Sequence, residues 1–104
     1  MSPELHINLS NLKSNIKFFQ KILKKNTELS AVVKSNAYGL GIAKIVPEIE
    51  RYGVRSFFTA TISEAIKVRS YSRDSEIFTL NGFDFLKSNL YREHNITPII
   101  NNIQ

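Results

Sequence analysis

Short runs of β-branched and aliphatic residues recur along this chain, and segments with helical spacing separate them. The strand-like runs cover residues 29–33, 54–60, 77–80 and 96–100. The helical segments lie between them, at about residues 42–52, 62–72 and 84–93. This alternation predicts parallel strands joined by right-handed helical crossovers. We therefore expect an α/β fold, which periodicity alone leaves open between a doubly wound sheet and a (β/α)8 barrel.

Several residues with strong local preferences mark the ends of these elements. Thr61 and Glu64 have the spacing of a capping box, which predicts that a helix begins after Thr61. Gly53 is placed as a C-terminal stop for the preceding helix. The pair Asn81-Gly82 predicts a turn from strand to helix. Pro47 conflicts with this pattern, because it lies inside a predicted helix.

An amphipathic helix is predicted before the first strand. Its apolar stripe and its opposite basic side are separated by the helical period. The stripe consists of Leu12, Ile16, Phe19 and Leu23, and the basic side of Lys13, Lys17, Lys21, Lys24 and Lys25. The formal net charge of +5 is explained by a solvated face better than by a surface for nucleic acid, since no nucleic-acid motif accompanies it. A weaker alternative is an RNA or anionic-lipid binder that uses Lys13, Lys17 and Lys21.

Length and composition indicate one soluble domain. The chain has 104 residues and no cysteine, so it offers no disulfide, thiolate metal site or cysteine nucleophile. Its apolar runs are shorter than a membrane span, and it starts without a secretory signal, which predicts a cytoplasmic protein with no membrane partner. His6 and His94 have no metal-ligand spacing, and we expect no metal site.

The run from Ala31 to Gly41 carries the strongest candidate for chemistry. Lys34 stands at the end of an apolar strand, where parallel strands usually present functional side chains. Tyr38 follows four residues later, and Gly39 and Gly41 allow the backbone to turn sharply. A phenol held near an amine suits an anionic ligand that carries a carbonyl group.

This run resembles the signature of the pyridoxal-phosphate-dependent alanine racemases, which reads very nearly Ala-Val-Val-Lys-Ala-Asn-Ala-Tyr-Gly-His-Gly. One departure is Leu40, where the family most often has histidine. Further segments resemble family blocks in the family's order, and they are His6 to Leu12, Thr59 to Ala65, Ile77 to Phe83 and Asn95 to Ile100. The resemblance therefore extends over nearly the whole chain.

The resemblance implies a function and two site residues. Lys34 would form the internal Schiff base with pyridoxal 5'-phosphate and act as one of two catalytic bases, and Tyr38 would bind the cofactor phosphate. The implied reaction is the interconversion of L-alanine and D-alanine, an isomerase activity that supplies D-alanine for peptidoglycan. Leu80 resembles a residue that lines the cofactor cavity in the family, although an ordinary core leucine fits equally well. The motif favours racemases over related decarboxylases but leaves serine and broad-specificity racemases open.

The resemblance also implies an architecture, a partial (β/α)8 barrel of the TIM type. Residues 1–104 would form the N-terminal part of a barrel domain, with about four βα units after the amphipathic helix. The C-terminal half of the barrel and the β-rich C-terminal domain would be absent. The family is homodimeric and takes its second catalytic base, a tyrosine, from the partner subunit, so the missing domain or another chain is needed to complete the site. The opening segment near residues 7–9 would pack on the missing domain, which leaves the edge of the first strand unpaired. The alternative is a truncated, non-catalytic remnant or interaction module that retains the motif.

Overall fold

The computed structural model describes residues 4–6, 17, 18, 20, 21, 29–33 and 42–100. Within these residues one parallel sheet has the order β1-β2-β3-β4-β5. Its strands are β1 (Glu4–His6), β2 (Ser30–Val32), β3 (Ser56–Thr59), β4 (Glu76–Thr79) and β5 (Ile96–Pro98). Strands that follow each other in sequence are neighbours throughout, as in a barrel, whereas the order of a doubly wound sheet reverses at a switch point. The predicted partial barrel is therefore confirmed.

The helices lie where the sequence predicts them. They are α1 (Ile42–Arg51), α2 (Ile62–Tyr71) and α3 (Ser88–Glu93), and residues 17, 18, 20 and 21 are helical as well. The last helix is shorter than predicted, because Phe85–Lys87 forms a 3-10 turn. The Asp84 carboxylate caps that turn by accepting a hydrogen bond from the Leu86 amide at 3.1 Å. Pro47 lies inside α1 on its exposed side, and the helix continues through it.

The expectation that the edge of the first barrel strand is unpaired is wrong. β1 lies parallel to β2 at that edge, in the register Glu4 to Ser30 and His6 to Val32. The physical reason is that a strand edge presents unpaired backbone groups, which a nearby extended segment can satisfy. Residues 7–9, which the resemblance places against another domain, lie outside the described residues.

The hydrophobic core lies between the sheet and helices α1 to α3. Side chains alternate between the two faces of a strand, and every second strand residue points to the helices. The sheet contributes Ala31, Val33, Phe57, Ile77 and Ile96, and α1 contributes Ile42, Ile45, Val46 and Ile49. The strand residues in the opposite phase form what we call the inner face, which consists of Ser30, Val32, Ser56, Phe58 and Phe78. These five residues are not part of the core on the helix side.

Arg69 connects the segments that lead into β4 and β5. Its Nη1 donates to the carbonyl oxygens of Ser72, Arg73 and Ser75 at 3.1, 3.0 and 2.8 Å. Its Nε and Nη2 donate to the carbonyl oxygens of His94 and Asn95 at 2.9 and 2.8 Å. Burial lowers the pKa of Arg69, and the Asp74 and Glu50 carboxylates oppose that shift. An arginine keeps its charge under such conditions, so these are charge-assisted hydrogen bonds.

Pro98 faces the outer side of β5. The Ile99 amide donates to the Thr79 carbonyl at 2.9 Å, which shows that residue 99 points toward β4. Successive backbone groups of a strand alternate in direction, so Pro98, next to it, points away from β4. The proline, which has no N–H to donate, therefore removes no hydrogen bond from the pairing of β4 with β5.

Candidate functional site

Two threonines shape the loops at the carboxyl ends of β3 and β4. Thr59 Oγ1 donates to the Thr61 carbonyl at 3.1 Å, and Thr79 Oγ1 donates to the Gly82 carbonyl at 3.4 Å. Gly82 has φ +80°, a conformation that glycine adopts without strain. The Leu80 amide donates to the Thr59 carbonyl at 2.8 Å. The two loops are thus held side by side at one edge of the sheet.

The loop after β3 is fixed by the capping box predicted from the sequence. The Thr61 hydroxyl accepts a hydrogen bond from the Glu64 amide at 3.3 Å, and Glu64 Oε1 accepts from the Thr61 amide at 3.1 Å. The same carboxylate oxygen accepts from the Ala60 amide at 2.9 Å. One side chain therefore satisfies two backbone donors that helix formation would leave without a partner.

A cavity of about 280 Å³ opens between these two loops. Its lining consists of Ala60, Thr61, Ile62, Ser63, Asn81, Gly82, Phe83, Asp84, Lys87 and Tyr91. On one side Lys87 Nζ donates to Ser63 Oγ at 3.3 Å, which joins the two loops. On the other side the Tyr91 hydroxyl accepts from the Asp84 amide at 3.0 Å. The cavity combines hydroxyl, amine and carboxylate groups with an apolar base formed by Phe83 and Ile62.

The inner face changes from polar to apolar along the strands. At the amino ends, Ser30 Oγ and Ser56 Oγ share a buried hydrogen bond of 2.6 Å. One register step further on the same face, the rings of Phe58 and Phe78 stack with centroids 4.9 Å apart and planes 19° apart. Both rings are half-buried. Val32 lies in the same row of the register, beside Phe58.

The two predicted site residues, Lys34 and Tyr38, lie outside the described residues. The strand that precedes them is described, and its pairing extends to Val33, whose amide donates to the Phe58 carbonyl at 2.8 Å. Leu80, which the resemblance places near the cofactor, ends β4 at the same edge of the sheet and is 37% exposed. The described part of the structure therefore brings the end of β2 and Leu80 to one rim.

Other sequence predictions concern the rest of the surface. Lys17 and Lys21 are exposed and helical, as expected of a solvated helix face, while Lys13 lies outside the described residues. The backbone amide of His94 closes the end of α3 by donating to the Leu90 carbonyl at 3.0 Å. Among the residues described, no group of three or more His, Cys, Asp or Glu side chains is arranged to hold a metal ion. The described helices include none that is long and apolar enough to cross a membrane.

Comparison with known proteins gives the family. The family described as "Alanine racemase, N-terminal domain" matches residues 7–104. The chain belongs to this family. It is 37% identical over 100 residues to the alanine racemase of Rickettsia prowazekii (strain Madrid E), a match that covers 95% of this chain and 24% of that enzyme. This alanine racemase N-terminal domain therefore spans about a quarter of the length of that relative.

Two further relatives bear on substrate and cofactor. An amino-acid racemase of Enterococcus faecalis is 43% identical over 76 residues, which cover 73% of this chain and 11% of that protein. The crystal structure of alanine racemase from Bartonella henselae, with covalently bound pyridoxal phosphate, matches with a TM-score of 0.75 and 36% identity over 92% of this chain and 28% of that one. The racemase domain thus has relatives named for alanine and for amino acids more broadly.

Proposed function

We propose that this chain is the part of a pyridoxal-phosphate-dependent amino-acid racemase that anchors the cofactor. The observation that supports the proposal is the position of Lys34, one residue after the last described residue of β2, in a chain whose family match covers residues 7–104. The carboxyl ends of barrel strands carry the chemistry in this architecture. The related Bartonella henselae enzyme holds its pyridoxal phosphate covalently.

Each of the two predicted residues has a separate role in this proposal. Lys34 supplies the amine that bonds to the cofactor and, once the substrate amine has replaced it, acts as a base at the substrate α-carbon. Tyr38 donates a hydrogen bond to the cofactor phosphate. The cofactor, when bound, withdraws electrons from the α-carbon and so makes its proton removable. We propose alanine as the substrate and L-alanine and D-alanine as the interconverted forms.

The remaining requirements of racemisation are also proposals. A change of configuration needs a second acid or base on the opposite face of the α-carbon, and we assign it to the partner subunit of a homodimer or to a chain that completes the barrel. D-alanine supply for peptidoglycan, in the cytoplasm, is the corresponding cellular role. The second candidate function is a non-catalytic module, which is favoured by the observation that the match covers only 24% of the Rickettsia prowazekii enzyme.

The test is chemical labelling at Lys34. The chain is incubated with pyridoxal phosphate and reduced with borohydride, and the labelled peptide is located by mass spectrometry. We expect one dominant label on Lys34, which disappears in Lys34→Arg, a variant that keeps the positive charge but cannot condense with an aldehyde. Exposed lysines such as Lys44 and Lys87 serve as internal controls for unspecific reaction.

Two outcomes of this experiment have opposite meanings. A label on Lys34 that is lost in Lys34→Arg and weakened in Tyr38→Phe supports the cofactor site. Equal labelling of Lys34, Lys44 and Lys87 would contradict it and favour the non-catalytic module. Racemisation of alanine by the labelled preparation, measured by circular dichroism of the amino acid, tests the activity itself.

A further inference from the structure

We infer that the stacked rings of Phe58 and Phe78 form the water-excluding floor of the cofactor site and set how long the cofactor stays bonded to Lys34. The inference rests on the proposed function and extends it to two residues that no resemblance assigns. It concerns positioning residues, because the rings would act on the environment of the bond and not on the reacting atoms.

The first argument is the place of the two rings in the sheet. Phe58 and Phe78 are direct register partners, and the same row continues to Val32 on one side and Thr97 on the other. They point to the face opposite the helices and take no part in the core that α1 to α3 cover. Their stacking at 4.9 Å and 19° gives a flat apolar surface on the side of the sheet that becomes the interior of a barrel.

The second argument is the order of polarity along the inner face. Toward the amino ends of the strands the neighbouring row is polar, with the Ser30 to Ser56 hydrogen bond and the exposed Glu76. Toward the carboxyl ends lie Ala60 and Leu80, at the rim where β3 and β4 end. The two rings therefore separate a polar layer, which can attract water, from the rim that follows the end of β2.

The third argument is the chemistry of the bond. A lysine amine and the cofactor aldehyde condense with loss of one water molecule, and the reverse reaction consumes one water molecule and returns the free amine and the aldehyde. The persistence of the bond therefore depends on how easily water reaches it. An apolar surface without hydrogen-bonding groups gives water no partner, and the stacked rings provide such a surface next to the rim.

The experiment compares variants that differ only in polarity at one place. Phe78→Val and Phe78→Thr remove the same ring, are similar in shape and both suit a strand, but only threonine brings a hydroxyl group. The full chain is loaded with pyridoxal phosphate, free cofactor is removed rapidly, and loss of the Lys34 adduct is followed by quenching with borohydride at intervals and by peptide mass spectrometry. Leu86→Ser, at a side chain that is 95% exposed, is the control for an added hydroxyl away from the inner face.

We expect the adduct of Phe78→Thr to be lost about tenfold faster than that of Phe78→Val, because a hydroxyl group in an apolar site recruits water. Leu86→Ser should match the unsubstituted chain. Circular dichroism and urea unfolding verify that each variant is folded, and the same pair at Phe58 replaces a Phe78→Thr that does not fold. Equal rates for folded threonine and valine variants would overturn the inference while leaving the proposed function intact. Absence of a Lys34 adduct in the unsubstituted chain would overturn both.

Discussion

Arg69 holds the amino ends of β4 and β5 in place, and its removal is the most direct test of how this sheet is stabilised. Its guanidinium donates to five backbone carbonyl oxygens, those of Ser72, Arg73, Ser75, His94 and Asn95. Asn95 has φ +53°, a left-handed conformation that needs support from its surroundings. We therefore expect Arg69→Ala to loosen both the 72–75 segment and the turn that enters β5.

The size of the effect follows from the number of full-strength bonds. The three acceptors of Nη1 share the two protons of that nitrogen, so about four of the five bonds are at full strength. A net value of about 1 kcal/mol for each bond, reduced because Arg69 is half-buried and the released carbonyls regain water, predicts a loss of about 2–4 kcal/mol. A domain of this length has a total free energy of unfolding of about 5–15 kcal/mol, so the loss is a large fraction of it.

Urea unfolding followed by far-UV circular dichroism measures this loss, since the chain has no tryptophan for a fluorescence assay. Arg69→Lys should recover only about 1 kcal/mol, because one ammonium group reaches fewer of the separated carbonyls. Arg51→Ala is the matched control. Its ion pair with Glu48, at 3.0 Å, joins side chains that are 75% and 39% exposed, and such pairs contribute less than about 1 kcal/mol. A stability of Arg69→Ala within about 0.5 kcal/mol of the unsubstituted chain would refute the reasoning.

Two further substitutions test the ends of helices. Gly53→Ala should cost about 1 kcal/mol because Gly53 has φ +94° while its added Cβ would meet only Gln20 Nε2, at an ordinary 3.7 Å; urea unfolding measures it, and an unchanged stability would show that the turn relaxes at no cost. Thr61→Ala should cost about 1 kcal/mol because the Glu64 amide loses its hydroxyl partner, whereas Thr61→Ser should restore most of it; equal losses in both variants would point to the methyl group instead of the cap.

Local signals in the sequence were sufficient for much of this fold. The Thr61 and Glu64 capping box, the end of α1 at Gly53 and the turn at Gly82 are confirmed, because each depends on residues within one turn of the chain. The role of Arg69 could not be predicted in this way, since two of its acceptors, His94 and Asn95, are 25 and 26 residues away in sequence. Nothing in an isolated arginine indicates which carbonyls folding will bring to it.

The remaining differences come from pairing partners that are distant in sequence. β1 joins β2 through backbone groups that any extended segment carries, so its sequence does not specify the partner. The stack of Phe58 on Phe78 follows from a register that alternation alone leaves undetermined. The candidate site depends on the motif itself, and the placement of Lys34 and Tyr38 stays a prediction.

The outward direction of Pro98 determines what can lengthen this sheet. A strand that approaches β5 from outside finds a carbonyl to bind at Pro98 but receives no amide in return, so the pairing is one-sided at that point. Unrelated extended segments, which attach through backbone groups alone, gain little there. A strand that also brings side chains to fill the inner face against Phe78 gains more than the missing bond costs. Recognition at this edge therefore depends on side-chain fit, and the proline selects against indiscriminate growth of the sheet.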